Sequence, residues 1–220
     1  MTCPPEMARA PMTPQLAQDG VVAILRADRE DALAPVAHAL ADAGLRCLEL
    51  TLTTPGAVQA LRRLRPALDP GIALGMGSVT CADQATMALE AGAAFLVSPG
   101  VCPEVVRVAG EAGVACYPGG FTATEILTAW ELGATAVKLF PAATGGPRHL
   151  RDLRGPLPGI PLVPTGGVAI EEIGDYLNAG AAAVGLGGPL VGDALDGGSL
   201  AALRERARVA LQAVASARAR

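Results

Sequence analysis

The sequence predicts an α/β protein of the closed (β/α)8, or TIM-barrel, class, and three observations lead there. Short apolar runs suited to buried strands alternate with longer segments of helical periodicity. A junction ending in glycine recurs at Asp42-Ala43-Gly44, Glu90-Ala91-Gly92, Glu111-Ala112-Gly113, Glu131-Leu132-Gly133 and Asn178-Ala179-Gly180. Its spacings of 48, 21, 20 and 47 residues are two, one, one and two units of a period near 20–24, so 220 residues hold about eight or nine units. Strands and helices alternating at that period imply parallel βα units, each glycine supplying the left-handed residue that ends a helix. An early Gly-x-Gly-x-x-Gly with a later acidic residue, the mark of an open dinucleotide-binding sheet, is missing from the sequence.

In chain order, strands are expected near 21–25, 47–52, 72–77, 95–99, 115–118, 136–141, 161–165 and 183–187. Helices are expected near 30–43, 55–67, 82–91, 103–112, 123–132, 148–154, 170–179 and 199–216. Thr54-Pro55 reads as a helix start, with threonine as N-cap and proline in the first turn. Residues 1–13 carry Pro4, Pro5 and Pro11 without an apolar signal-peptide run and are expected to form a disordered or loosely packed arm. Residues 14–220 are expected to form one barrel domain ending in a C-terminal helix.

Composition narrows the function classes. Hydrophobic residues make up 51% and charged residues 17%, which indicates a large core, and with only 3% aromatics that core is built from Ala, Val and Leu. A net charge of −4 without a basic run argues against a nucleic-acid partner. Every apolar stretch is broken before the ~18 residues a membrane span requires. The five cysteines (Cys3, Cys47, Cys81, Cys102, Cys116) and two histidines (His38, His149) show no ligand spacing, so neither metal nor cofactor is expected. Reduced thiols in a cytoplasmic protein are the simplest account of them.

Lys138 is the only lysine; the other sixteen of the 17 basic residues are arginines. It stands in the apolar run Ala136-Val137-Lys138-Leu139-Phe140-Pro141. An amine, unlike a guanidinium, can attack a carbonyl and form a Schiff base. Strand parity places it. Leu48, Leu50 and Leu52 share the face that meets helices, which sends Glu49 inward; Val137 and Leu139 face outward, which sends Lys138 inward. Val22, Ile24 and Arg26 fall together, with Arg26 at the C-terminal end of the first strand, where active sites of this fold lie. Burying three lone charges would cost several kcal/mol each, so they pair or they act. An ion pair that merely satisfies charge is the alternative for Glu49. Two glycine doublets, Gly166-Gly167 after Thr165 and Gly187-Gly188 after the eighth strand, suit an anion held by backbone N–H groups, though tight turns would also use them. His38 reads as an ordinary residue and Trp130 as core or a subunit contact. Arg148 and His149 could line the mouth, and Arg204, Arg206 and Arg208 read as a solvated face.

Six segments then occur in a known order: Leu48-Glu49-Leu50-Thr51, Gly75-Met76-Gly77-Ser78-Val79, Ser98-Pro99-Gly100, Tyr117-Pro118-Gly119, Val137-Lys138-Leu139-Phe140-Pro141 and Pro164-Thr165-Gly166-Gly167-Val168. From about residue 20 to 192 the chain resembles the aldolases of 2-keto-3-deoxy-6-phosphogluconate (KDPG), its 6-phosphogalactonate epimer and 4-hydroxy-2-oxoglutarate. The resemblance implies a metal-free class I aldolase, usually a homotrimer, releasing pyruvate and glyceraldehyde 3-phosphate. It implies Lys138 as Schiff-base lysine and Glu49 as general acid/base. It implies substrate contacts at Arg26, Ser78, Pro99, Thr165, Gly166, Gly167, Gly187 and Gly188. Two positions depart from the pattern. Thr53 stands where one branch has an arginine, with Arg26 as the replacement carboxylate clamp; Gly188 stands where many members have a serine. Two other classes fit a phosphate-binding barrel: a non-covalent isomerase or synthase with Glu49 as base, and a non-catalytic sugar-phosphate sensor.

Overall fold

The computed structural model describes residues 9–219. Its strands are β1 (Val21–Leu25), β2 (Cys47–Thr51), β3 (Ala73–Gly77), β4 (Phe95–Val97), β5 (Ala115–Tyr117), β6 (Gly119–Gly120), β7 (Val137–Leu139), β8 (Leu162–Pro164) and β9 (Val184–Leu186). The helices are α1 (Pro14–Asp19), α2 (Leu33–Asp42), α3 (Ala57–Ala67), α4 (Ala82–Glu90), α5 (Pro103–Glu111), α6 (Ala123–Glu131), α7 (Ala142–Arg154), α8 (Ile173–Asn178), α9 (Gly188–Val191) and α10 (Leu200–Arg218). All strand pairs are parallel. This is an α/β fold with a curled parallel sheet and helices between successive strands, except between β5 and β6. Its ladders are two rather than the single ring the sequence suggests: six strands in the order β5-β4-β3-β2-β1-β9, and three in the order β6-β7-β8. Pro118, which has no N–H to donate, separates β5 from β6, and one isolated parallel bridge, Thr165 to Gly185, links the end of β8 to β9.

The expected parity holds. Leu48, Leu50, Leu74, Met76, Val137 and Leu139 pack into the layer between sheet and helices. Val22, Cys47, Ala73, Phe95, Tyr117 and Val163 form a second cluster on the concave side. The junction glycines Gly44, Gly92, Gly113, Gly133 and Gly180 all have φ between 66° and 102°, the left-handed turn their position requires.

Several local expectations are corrected. Residues 9–13 are packed: the Arg9 guanidinium lies 3.7 Å from the Trp130 ring, Thr135 Oγ1 donates to Ala10 O at 2.9 Å, and Thr13 N–H donates to Tyr117 Oη at 3.2 Å. The remainder of the expected arm, 1–8, lies outside the described residues. Thr54 does not cap α3; its hydroxyl accepts from Ala27 N–H at 2.9 Å, and the helix begins after Gly56. Expected from 148, α7 starts at Ala142 and is broken by a kink at Gly146 (φ 65°, ψ −173°), between Gly145 and Pro147. Arg206 is not simply solvated: its guanidinium donates to Leu190 O at 2.6 Å and Val191 O at 2.8 Å, satisfying the end of α9. Among the described residues no helix is long and apolar enough to cross a membrane.

Candidate active site

Glu49 comes from the middle of β2 and is 2% exposed, with no hydrogen-bond partner among the described residues. Its room is made by β3. The inward positions of that strand are Ala73, Gly75 and Gly77. A Cβ at Gly77 would stand 2.5 Å from Glu49 Cδ, and one at Gly75 would overlap the Phe95 ring. The interior volume therefore goes to the neighbours, Glu49 above and Phe95 below, with Phe95 set edge-on to Tyr117 at 5.7 Å. Lys138, in the middle of β7, is half-buried. Its ammonium lies 5.2 Å from the centroid of the Phe140 ring, which packs over Gly166. Glu49 and Lys138 line one small interior cavity with Leu16, Val22, Val97, Val163 and Thr165; its free space of about 10 Å3 has room for roughly one water.

Burial pushes the Glu49 carboxyl above its ordinary range; the charges of Lys138 and Arg26 pull the other way without overcoming it. The two side chains do not close into an ion pair within 4.0 Å. The pair is thus a buried carboxyl that readily holds a proton facing an amine across a small cavity, which suits proton traffic better than charge neutralisation.

At the mouth, the exposed Arg26 donates from Nη1 to Thr53 Oγ1 at 2.6 Å and from Nη2 to Ser78 Oγ at 3.4 Å. Thr51 Oγ1 completes the chain, 3.0 Å from Thr53 Oγ1. Arg26 therefore reaches over to the position after β2 where one branch of the resembled family has its arginine. Ser78 has φ 60°, a left-handed conformation unusual outside glycine, and it turns the hydroxyl toward the guanidinium. Thr165 is buried and donates to Val163 O at 3.2 Å, filling the space left by Gly185. Gly166 and Gly167 have φ of 92° and 77° and turn the chain across the start of α7, where Ala142 N–H and Ala143 N–H donate to Thr165 O and Gly166 O. Gly187 and Gly188 lead into α9 with open space where side chains would stand.

Lys138, Glu49 and Thr165 are thus brought together, as are Arg26 and Ser78. Pro99, Gly187 and Gly188 line neither the cavity nor the Arg26 network; the Pro99 carbonyl packs on Gly119. His149 is engaged elsewhere, its Nε2 2.9 Å from Phe121 O and its ring stacked on Phe121 at 4.5 Å, and Arg148 is exposed beside Asp152. Sequence reasoning missed Thr53 as the partner of Arg26, Phe140 as the surface beside the lysine, and Gly77 as the space for Glu49.

A buried carboxyl and the chain's one lysine, meeting at an interior cavity of a parallel α/β sheet, define the class: a lysine-and-carboxylate enzyme of carbonyl chemistry. A family model described as KDPG and KHG aldolase matches residues 13–204, and the chain belongs to that family. It is 40% identical over 158 residues to the 2-dehydro-3-deoxy-phosphogluconate aldolase of Pseudomonas aeruginosa, a match covering 71% of each chain. It is 32% identical over 208 residues to a probable 2-dehydro-3-deoxy-6-phosphogalactonate aldolase of Rhizobium meliloti, covering 94% of this chain and 96% of that one. Among solved structures, KDPG aldolase from Legionella pneumophila, with pyruvate captured as a covalent carbinolamine, aligns with a TM-score of 0.81 at 29% identity, covering 88% of this chain and 95% of that one.

Proposed function

We propose that the protein is a Schiff-base aldolase that cleaves a 2-keto-3-deoxy-6-phospho sugar acid, foremost KDPG, to pyruvate and glyceraldehyde 3-phosphate. The observation that carries the reading is the unpaired, buried Glu49 beside the only lysine of the chain. Lys138, as the free amine, attacks the C2 carbonyl of the keto acid, and Glu49 moves the proton that turns the carbinolamine hydroxyl into departing water. The resulting protonated imine accepts the electron pair of the C3–C4 bond. As that bond breaks, Glu49, directly or through one water, takes the C4 hydroxyl proton, leaving the aldehyde and an enamine. Protonation at C3 and hydrolysis release pyruvate and restore the amine. Arg26 and Ser78 hold the keto acid carboxylate, a fork of N–H donors matching its two oxygens. Phosphate is held by backbone N–H groups of Gly166, Gly167, Gly187 and Gly188, with Thr165 and Pro99 as further substrate contacts.

Trapping decides it. Borohydride with pyruvate should fix a single adduct on Lys138, and Lys138→Met should lose both adduct and cleavage; wild-type cleavage by Lys138→Met overturns the reading. A second reading, the 6-phosphogalactonate epimer, is favoured by the placement of Arg26 after β1 with Thr53 as partner. Coupled assays with both epimers and with 4-hydroxy-2-oxoglutarate separate these substrates.

Three coarser findings extend into the same proposal. The two ladders are parts of one closed eight-stranded ring, supported by the Thr165–Gly185 bridge and by β5 and β6 flanking Pro118 as one strand. The chain acts as a homotrimer, supported by family membership and by Met87 and Leu127 left 44% and 41% exposed on helices. Its location is cytoplasmic, supported by the free thiols of Cys47, Cys81, Cys102 and Cys116.

A further inference from the structure

The interior that holds Glu49 and Lys138 is closed from below by a segment outside the βα repeat. Residues 9–20 cross the N-terminal ends of the strands and are tied down at points all round them. Arg9 lies over Trp130 and donates to its carbonyl at 2.8 Å, while Ala10 O accepts from Thr135, just before β7. Thr13 N–H meets Tyr117 of β5, and Gln15 Nε2 donates to Gly71 O at 2.9 Å, just before β3. Asp19 accepts from Arg46 N–H at 2.8 Å and pairs with the Arg46 guanidinium at the start of β2. Proline at the first helical position and the left-handed Gly20 bound the six residues of α1, far too few to be stable without these anchors.

What the anchors hold in place is Leu16. It is 1% exposed, belongs to the concave-side cluster with Val22, Cys47 and Phe95, and lines the same cavity as Glu49 and Lys138. Met12 packs against that cluster beside it. We propose that Leu16, carried by α1, is a positioning residue of the reaction: it stoppers the strand interior beneath Glu49 and Lys138 and keeps water from reaching the pair from the floor. The inference rests on the aldolase reading for its catalytic meaning but not for its physical test.

The groups facing Glu49 are few. Lys138 stands on β7, Arg26 follows β1, and Cys47 and Tyr117 lie below on β2 and β5, both held neutral by burial. On β3 the facing residue is Gly77, on β4 Val97 and on β8 Val163 and Thr165, none of them charged. Asp19 is engaged by Arg46. Burial is therefore what holds the Glu49 carboxyl above its ordinary range, and opening the floor to solvent should bring it down.

The experiment follows the Glu49 carboxyl carbon by NMR in 13C-labelled protein, assigned by its loss in Glu49→Gln. In Leu16→Ala the titration midpoint moves down toward the ordinary carboxylate value, and the acid limb of the kcat–pH profile moves down with it. Leu16→Val shifts it less and keeps the test in hand should the alanine variant not fold. Leu40→Val, an equally buried trim on α2 in the outer layer, leaves it in place. An unmoved midpoint in folded Leu16 variants overturns the inference, as does an equal shift in Leu40→Val, which would make the effect one of general loosening. Because the titration needs no turnover, failure of the aldolase reading shows separately, as wild-type protein that forms no borohydride adduct.

Discussion

Replacing Gly77 by alanine displaces Glu49 without altering its chemistry. Gly77 lies in β3 outside the left-handed region, so alanine fits its backbone. The added methyl, however, would stand 2.5 Å from Glu49 Cδ and 2.8 Å from Cγ, where an ordinary contact begins at 3.4 Å. Oε1 lies closer still to that methyl, so the carboxyl must retreat by at least about 0.9 Å. Phe95, filling the space beside Gly75, blocks a retreat toward the floor, so the group is driven toward the mouth. A misplacement of about 1 Å costs on the order of 100-fold in rate. That is ~2.7 kcal/mol of barrier, within the range a general acid–base supplies.

The assay is pyruvate release coupled to lactate dehydrogenase. Gly77→Ala should lower kcat about 100-fold and leave KM near its wild-type value, because Arg26, Ser78 and the glycine loops are untouched. Since the effect travels through the carboxyl, Gly77→Ala/Glu49→Gln should be no slower than Glu49→Gln alone. Wild-type kcat in Gly77→Ala, or losses that multiply in the double variant, would refute the account of how Glu49 is seated.

Three other outcomes follow from the same geometry. Because burial raises the Glu49 carboxyl, the folded chain keeps that proton to higher pH than the unfolded one. Its stabilising share is full below the unfolded value and declines as pH rises through the folded value, by about 1.4 kcal/mol per unit of difference. Glu49→Gln should therefore melt like wild type at low pH and gain on it as pH rises above the ordinary 4.5; coincident melting curves across pH would contradict this. Arg26→Ala should lower kcat/KM about 10- to 100-fold, the ~1.5–3 kcal/mol of hydrogen bonds to a charged group, and Arg26→Lys should restore little. The exchange Arg26→Thr/Thr53→Arg should recover part of the loss, since the two side chains already meet at 2.6 Å; no recovery would show that the strand of origin matters. Native alkylation read by mass spectrometry should label the half-buried Cys81 and Cys102 first and spare Cys47 and Cys116, whose thiols burial pushes up, that of Cys116 to about 12.

Much of the fold was legible because its information is local. The junction glycines mark helix ends by a conformation only glycine adopts freely, and all five carry it. Strand edges came out within two residues because apolar runs in a parallel sheet are short and bounded by turn residues. What failed was also local, but ambiguous. Gly145-Gly146-Pro147 has loop composition, yet Pro147 resumes the helix after the kink at Gly146. Thr54-Pro55 has cap composition, yet the threonine hydroxyl is taken by Ala27 from another loop. The packing of residues 9–13 was invisible because nothing in a short proline-bearing stretch names the tryptophan, tyrosine and threonine that anchor it.

The site divides in the same way. Parity alone put Glu49 and Lys138 on the concave face, since a strand alternates its faces strictly and the leucines at 48 and 50 and Val137 and Leu139 had to meet helices. Parity cannot state a distance, so the Arg26–Thr53 contact and the seat made by Gly77 needed coordinates. Yet the seat left a trace. A glycine inside a strand weakens it, and Gly75-Met76-Gly77 holds two on one face with a buried methionine between them. That cost makes sense only if neighbouring strands send large groups across that face, and β4 and β2 send Phe95 and Glu49. The interior of a curled parallel sheet is a shared volume, so a strand that gives up its inward side chains points to what the adjacent strands place there. Inward glycines next to a strand with an inward carboxylate thus locate the side chain that must be held clear of its neighbours, a signal present in the sequence before any coordinates exist.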